Sequence, residues 1–283
     1  MKFESAEFAA EAALRNPEYL HPLVAQAAIE ARKLKEREAI DPNQFIGVYG
    51  ESAVLRDLKY VREMKKLFDV GSQVQKQWAD VFEAVFYEAE QANWLGDEAH
   101  TILASEYDDI RNGIDVAVRM ADSSRAFPYI GMGIDVTFGS TSVERKMKRL
   151  FDEIGKGNLG TMRYFMDTEF DDRFKGELSK IAHIVVGVER SHVIELARQW
   201  MNGEKKALEN NPIQLVILQQ IMEQLTAFRD YAHKIGKHEL AEVYAADMTV
   251  FAPVLRDKRR MDTRNYENDH VAAALSQELA ARK

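Results

Sequence analysis

With 283 residues, 46% of them hydrophobic and 30% charged, the chain has the composition of a globular protein with material for one large domain or two modest ones. It has no cysteine, which excludes disulfides and thiolate metal sites, and a formal net charge of −8, which argues against indiscriminate polyanion binding and leaves any such role to a local basic patch. The first residues, MKFESAEFAAEAALRNPEYL, carry acids where a signal peptide needs an apolar core, and no long apolar run follows, so a cytoplasmic protein without membrane contact is expected.

Residues 1–71 read as a helical segment. Pro17 and Pro22 interrupt a run of helix formers, giving a short first helix and a second from Pro22 to Glu38, with Leu23, Ala27, Ala28 and Leu34 on its apolar stripe. Asp41-Pro42-Asn43 breaks the chain, and near-helical spacing of Val54, Leu58, Val61 and Phe68 predicts a further helix from Ser52 to Phe68. Residues 72–203 form the expected α/β core. It opens with a helix from Ser72 to Trp94, in which Val74, Trp78, Val81, Phe82, Val85 and Phe86 are apolar and Glu83 interrupts them. Thr101 to Ala104 is a first strand. After two more strands come a helix from about Glu144 to Gly155, an extended stretch from Thr161 and a polar loop or short helix from Asp167 to Lys175. The most strand-like run, Ile181 to Val188, precedes a helix that Ser191 caps. Residues 204–283 read as helices only: Pro212 to about Ile235, Lys237 through Phe251, and a short amphipathic tail. These helical segments offer surfaces for a partner or for a homo-oligomer.

The two strands in the middle organise the chain. Gly113-Ile114-Asp115-Val116-Ala117-Val118 and Gly133-Ile134-Asp135-Val136-Thr137-Phe138 share a Gly-Ile-Asp-Val core, are β-branched and are separated by a polar stretch with a proline. A carboxylate among apolar neighbours is expensive to bury alone, and two on neighbouring strands repel unless a cation, a donor or a shared proton compensates. Divalent metal held by oxygen ligands is the economical explanation; simple alternation, with one aspartate facing solvent or capping a turn, is the bland one. Neutralising Asp135 is expected to relieve the repulsion. Asp109 is a further candidate ligand, weighed against a turn-capping role before Asn112-Gly113.

This order of elements, with Glu83 in the helix, Asp115 in one strand and Asp135 in the next, resembles the PD-(D/E)XK nuclease-like superfamily. The resemblance covers roughly Ser72 to Met201, and the chain as a whole looks like a bacterial protein built on that core. It implies a mixed β-sheet of restriction-endonuclease-like type, Mg²⁺ or Mn²⁺ on Glu83, Asp115 and Asp135, and metal-dependent phosphodiester hydrolysis on DNA, with RNA a weaker alternative. One departure stands out. Thr137 occupies the position where the superfamily places a lysine that activates the attacking water and stabilises charge at phosphorus. Lys146 or Lys148, from the helix after the strand, could reach back in its place; otherwise the fold is a non-catalytic binding protein with a degenerate site.

Other signals point elsewhere. Gly155-Lys156-Gly157-Asn158-Leu159-Gly160 matches G-x-G-x-x-G but follows a helix, so it reads as a helix terminus and not as a dinucleotide loop. Asp167, Glu169, Asp171 and Asp172 suggest a calcium loop, yet Asp172 stands where glycine is required and Leu178 where the closing glutamate belongs. His233 has the wrong offset from His238-Glu239 for a zinc-protease helix. His192, just beyond the strongest strand, is either directed at the site or a surface residue at a helix start.

Overall fold

The computed structural model describes residues 13–14, 16, 18–88, 93–120, 130–138, 140–167 and 175–282. Proline and a polar cap open the first described long helix, α1 (Pro22–Glu38), whose His21 side chain accepts from the Leu23 amide. A 3₁₀ turn over Pro42–Phe45 follows, capped by Asp41, then the short α2 (Ile46–Tyr49) and α3 (Glu51–Lys65). The core begins with α4 (Val70–Glu88) and β1 (Ala99–Leu103). A π-helical turn at Asp108–Asn112 leads into β2 (Val116–Met120), followed by β3 (Ile130–Thr137) and α5 (Ser140–Lys156). Then come β4 (Gly160–Met166), β5 (Lys175–Gly187), α6 (Arg190–Met201), α7 (Lys205–Glu209), α8 (Ile213–Lys234), α9 (His238–Lys258) and α10 (His270–Ala280).

Most elements stand where the sequence places them. Among the differences, Asp115 lies one residue before β2 begins, β5 begins at Lys175 and not at Ile181, α9 continues past Phe251 to Lys258, Glu189 and not Ser191 occupies the cap of α6, and α2, α7, the 3₁₀ turn and the π-helical turn were not foreseen. Most of the acidic 167–175 stretch, residues 168–174, lies outside the described residues. The glycine-rich motif is a helix stop, as expected. Gly157 is left-handed, its amide bonds Ile154 O, and the Asn158 amide reaches back to Glu153 O, the pattern of a Schellman cap.

The five strands form one mixed sheet in the order β1-β2-β3-β5-β4. The first three are antiparallel neighbours, β5 lies parallel to β3, and β4 pairs antiparallel with β5. Register puts Leu103, Val116, Ile134 and Ile184 on one line, and such residues join Trp78, Phe82 and Val85 of α4 in the main core. Helices α1, α4 and α6 pack together as one layer; α5, α8, α9 and α10 form the other, beside β5. The rest of the second face is closed by β4 and the 42–65 segment, where Phe45 and Tyr164 meet edge to face at 5.1 Å.

β5 serves two partners in turn. Its first half pairs with β4 and its second with β3, and the change falls at Lys180, an extra residue in left-handed conformation between the Thr161–Ser179 and Gly160–Ile181 pairs. A bulge there bends the strand and increases its twist. Beyond the bulge, the edge that β4 has left is taken by two glutamines of α8. Gln224 accepts from the Val185 amide at 2.9 Å and donates to its carbonyl at 2.7 Å; Gln220 does the same for Gly187 at 2.9 and 2.8 Å. Four residues of helix rise about 6 Å and two residues of strand about 6.6 Å, so consecutive helix turns match alternate strand residues. Gln224→Leu would leave a buried amide and carbonyl unpaired. It is expected to lower unfolding free energy by about 2–4 kcal/mol, read by urea denaturation.

Candidate functional site

Where α4, the π-helical turn and the adjoining ends of β2 and β3 meet, ionisable side chains converge. From α4 come Lys76, Asp80 and Glu83, spaced i, i+4 and i+7 and so on one helix face. Glu83 is fully buried, and its Oε2 accepts from Lys35 of α1 at 2.5 Å; Lys35 also bonds Asp80 at 2.9 Å. Lys76 Nζ lies 2.5 Å from Asp109 Oδ2, 3.4 Å from Asp80 Oδ1 and 3.9 Å from Glu83 Oε1. Asp109 is in turn hydrogen-bonded to Asp115.

The π-helical turn is fixed by the residue before Asp109. The buried Asp108 carboxylate accepts from Ser105 Oγ, the Asn112 amide group and the Arg163 and Tyr164 backbone amides of β4. Burial pushes its pKa up in spite of those donors. Asp108 therefore does the capping that the sequence reading weighed for Asp109, and Asp109 is free to join the charged group. Gly113 ends the turn in left-handed conformation, which favours glycine, and the Arg149 guanidinium crosses over it, 2.5 Å from where a Cβ would stand.

Asp115, one step before β2, turns its carboxyl onto β3 and accepts from the Val136 amide at 2.7 Å. Asp135 lies on β3, where the α5 residues Lys146 and Arg149 bind it: Lys146 donates to Oδ1 and to the Val136 carbonyl, and Arg149 approaches Oδ2 at 3.0 Å. Lys146 thus reaches back as the sequence suggested. Thr137 is buried, and its hydroxyl has no hydrogen-bond partner among the described residues. His183 on β5 donates Nε2–H to Gly113 O at 2.8 Å; burial pulls its pKa down to about 4 against the pull of Asp135, so it is neutral at physiological pH.

Five carboxyl groups, Asp80, Glu83, Asp109, Asp115 and Asp135, face four cations, Lys35, Lys76, Lys146 and Arg149. The imbalance falls on Asp115. Burial first, then the charges of Glu83, Asp109 and Asp135, push its pKa well above the carboxylate range. Burial also raises Asp109 and Asp80, but Lys76 and Lys35 outweigh it and hold both below the ordinary value. Burial pulls Lys35 and Lys76 down, and the surrounding carboxylates more than reverse this. The upward shift favours a proton on Asp115, which Asp115 can share with Asp109.

For a hard divalent ion the donor chemistry fits: the oxygens are carboxylates, and buried Glu83 Oε1 has no hydrogen-bond partner among the described residues. The grouping does not, since no three Asp, Glu or His side chains among the described residues are placed to hold a metal ion. Glu83 and Asp115 belong to the Lys76–Asp109 network, whereas Asp135 is held by α5. His192 pairs with Asp269 at 3.5 Å at the start of α6. His233 and His238 do meet across the α8–α9 turn, Nδ1 to Nδ1 3.3 Å, as a pair without a third ligand among the described residues. A cavity of about 370 Å³ along β1 is lined by Arg37, Tyr87, His100 and Asp167, and none of the converging carboxylates lines it.

Sequence reading missed Lys35, Lys76, Asp80 and His183. For α4 a signal existed: three ionisable residues at helical spacing within a buried stripe. The chain matches no family model, no curated protein and no solved structure.

A raised carboxyl pKa in the folded state has a fixed sign. Asp115 costs nothing below the unfolded carboxyl pKa of about 3.9 and destabilises increasingly as pH rises towards its folded value. Asparagine keeps the acceptor for Val136 and a donor for Asp109 while removing the charge. Asp115→Asn is expected to be more stable than wild type by about 1–2 kcal/mol at pH 8, converging on wild type near pH 4, in urea titrations across that range.

Proposed function

We propose that this chain is a phosphodiesterase acting on nucleic acid, DNA before RNA, on a PD-(D/E)XK-like core. The element order supports the reading: a helix with Glu83, three antiparallel strands with Asp115 and Asp135 at adjoining ends, a helix, and a strand parallel to β3. The observation that carries it is Lys146. Its amine sits on Asp135 and the Val136 carbonyl, supplying beside the carboxylates the cation that Thr137 does not.

The chain's own groups then have definable tasks. Asp135 and the Val136 carbonyl aim the Lys146 ammonium, which can stabilise negative charge developing at a phosphoryl oxygen. Arg149, more than a third exposed, is the cation best placed to meet an incoming phosphate. Mg²⁺ or Mn²⁺ is the proposed cofactor, with Glu83, Asp115 and Asp135 as its proposed ligands, and would supply an activated water. For the substrate, Arg56, Lys59, Arg62 and Lys66 lie exposed along α3, and Arg111 covers Tyr60 of that helix from the turn that holds Asp109. Arg145 and Lys148 of α5 are also exposed. In a chain of net charge −8, these exposed basic residues are the ones proposed to meet a polyanion.

The second reading, a non-catalytic binding protein, is favoured by one observation: lysines and an arginine of the chain already neutralise the carboxylates. Incubation with single-stranded, duplex and branched DNA and with RNA, in Mg²⁺ and in Mn²⁺, separates the two. Wild type is expected to cleave, and Lys146→Met to lose about a hundredfold or more in rate while retaining nucleic-acid binding that weakens steeply with salt. Salt-sensitive binding with no cleavage in any arm would leave the binding protein; neither binding nor cleavage would remove both.

A further inference from the structure

The corner formed by α2 and the start of α3 leaves a large share of apolar surface in water. Seven large apolar side chains are exposed among the described residues, and four of them, Ile46, Val48, Leu55 and Leu67, fall within residues 46–67. Aliphatic side chains exposed singly are ordinary, whereas a gathering of them marks a contact surface. Ile46 and Val48 stand beside Gly47 and Gly50, which have nothing within 4 Å of where a Cβ would be, so this corner projects from the fold.

Leu55 shares its helix face with cations. Leu55, Lys59, Arg62 and Lys66 are exposed and spaced i, i+4, i+7 and i+11, while Val54, Asp57 and Val61 make the buried face of α3. Lys59 lies 3.7 Å from Glu63 and Lys65 pairs with Glu106, exposed ion pairs of little weight. Arg56, Arg62 and Lys66 have no carboxylate partner among the described residues, nor has Arg111, which lies over the Tyr60 ring at 5.6 Å. Glu51 and Asp69 stand at the two ends of the segment, and Asp69 is occupied with the Ser72 amide of α4.

Such a surface matches the face of an anionic bilayer. Lipid phosphates and carboxylates meet the cations, whose stems lie along apolar surface with their heads in water, and the aliphatic tips enter the boundary with the acyl chains. A nucleic acid would engage the cations alone, because aliphatic side chains gain nothing from a phosphate backbone. Tyr60, the aromatic ring of α3, is covered by Arg111 and packs edge to face on Tyr107 at 6.1 Å, so it offers no platform for stacked bases. No helix among the described residues is long and apolar enough to cross a membrane, and contact of this kind needs none. We propose that the corner at 46–48, the outer face of α3 and Leu67 form a docking surface for an anionic lipid bilayer. The proposal does not depend on the phosphodiesterase reading, although lipid and nucleic acid would compete for the same cations.

The test is sedimentation of the full chain with vesicles of phosphatidylcholine and phosphatidylserine in equal parts, and with phosphatidylcholine alone, beside anisotropy measurements on duplex DNA. Wild type should bind the anionic vesicles, release them as salt rises, and ignore the neutral ones. Arg62→Gln combined with Lys66→Gln should weaken vesicle binding by about twenty-five-fold, roughly fivefold for each cation. Leu55→Gln combined with Leu67→Gln should weaken it by about tenfold or more while leaving duplex binding at the wild-type level. All four positions are exposed, so melting temperatures should stay near that of wild type. Failure of wild type to bind anionic vesicles at low salt overturns the proposal, as does vesicle binding that either pair of substitutions leaves unchanged. Duplex binding without vesicle binding gives the face to nucleic acid and overturns it too. Cleavage assays decide the phosphodiesterase reading separately: cleavage without vesicle binding keeps that reading and removes this one, and vesicle binding without cleavage does the reverse.

Discussion

The structure depends on keeping a cluster of acids out of water. Burying several carboxylates side by side is tolerable only if cations and donors reach them, because the desolvation of each charge is otherwise uncompensated. Here the cations come from three helices: Lys35 from α1, Lys76 from α4, and Lys146 and Arg149 from α5. The N-terminal helix is therefore part of the site. It packs against α4 and α6 through Val24, Ala27, Ala31 and Leu34, and the same helix carries Lys35 to Glu83. Removing one partner would leave a buried charge alone, which is the expensive way to break such a network.

Sheet geometry decides where that network sits. The bulge at Lys180 swings β5 from β4 to β3, and only past the bend does β5 bring His183 under Gly113. Gly133, opposite His183 in register, has no side chain because Ile114 lies across it, with a Cβ position only 2.8 Å from that residue. The π-helical turn, its glycine exit and the helix after β3 are thus locked to the same few residues. The glutamine pair on α8 closes the remaining backbone edge, so the bend leaves no open strand behind.

Much of this was legible in the sequence, and the reasons are local. Gly-Ile-Asp-Val occurring twice, with β-branched neighbours, marked adjoining strands, and a basic helix straight after the second marked Lys146 as a residue able to reach back. The helix start at Pro22, the break at Asp41 and the helix stop within the glycine-rich run 155–160 fell where their chemistry puts them. What the sequence could not give was partner choice. Whether Asp108 or Asp109 caps the turn depends on where β4 passes, and which lysines enter the site depends on how α1 crosses α4. For the same reason the sequence did not show on which strand aspartate the repulsion would fall. Asp135 has two cations from α5, and the strain collects on Asp115.

The packing around residue 137 suits an uncharged side chain. Thr137 pairs with Gly187 on β5, its methyl 3.3 Å from where a glycine Cβ would stand, and Val271 and Leu275 of α10 close over the same spot. A lysine at 137 would have to run beneath that helix with its charge in an apolar layer, an arrangement that depresses the pKa of an ammonium or unseats the helix. The α5 helix starts three residues beyond Thr137, and two turns along it Lys146 points its amine back at Asp135 with a sixth of its side chain still in contact with water. Covering the end of the sheet with a C-terminal helix and carrying the cation on α5 are thus one structural solution. The apolar lid excludes charge from the strand, and the neighbouring helix restores it at the carboxylate.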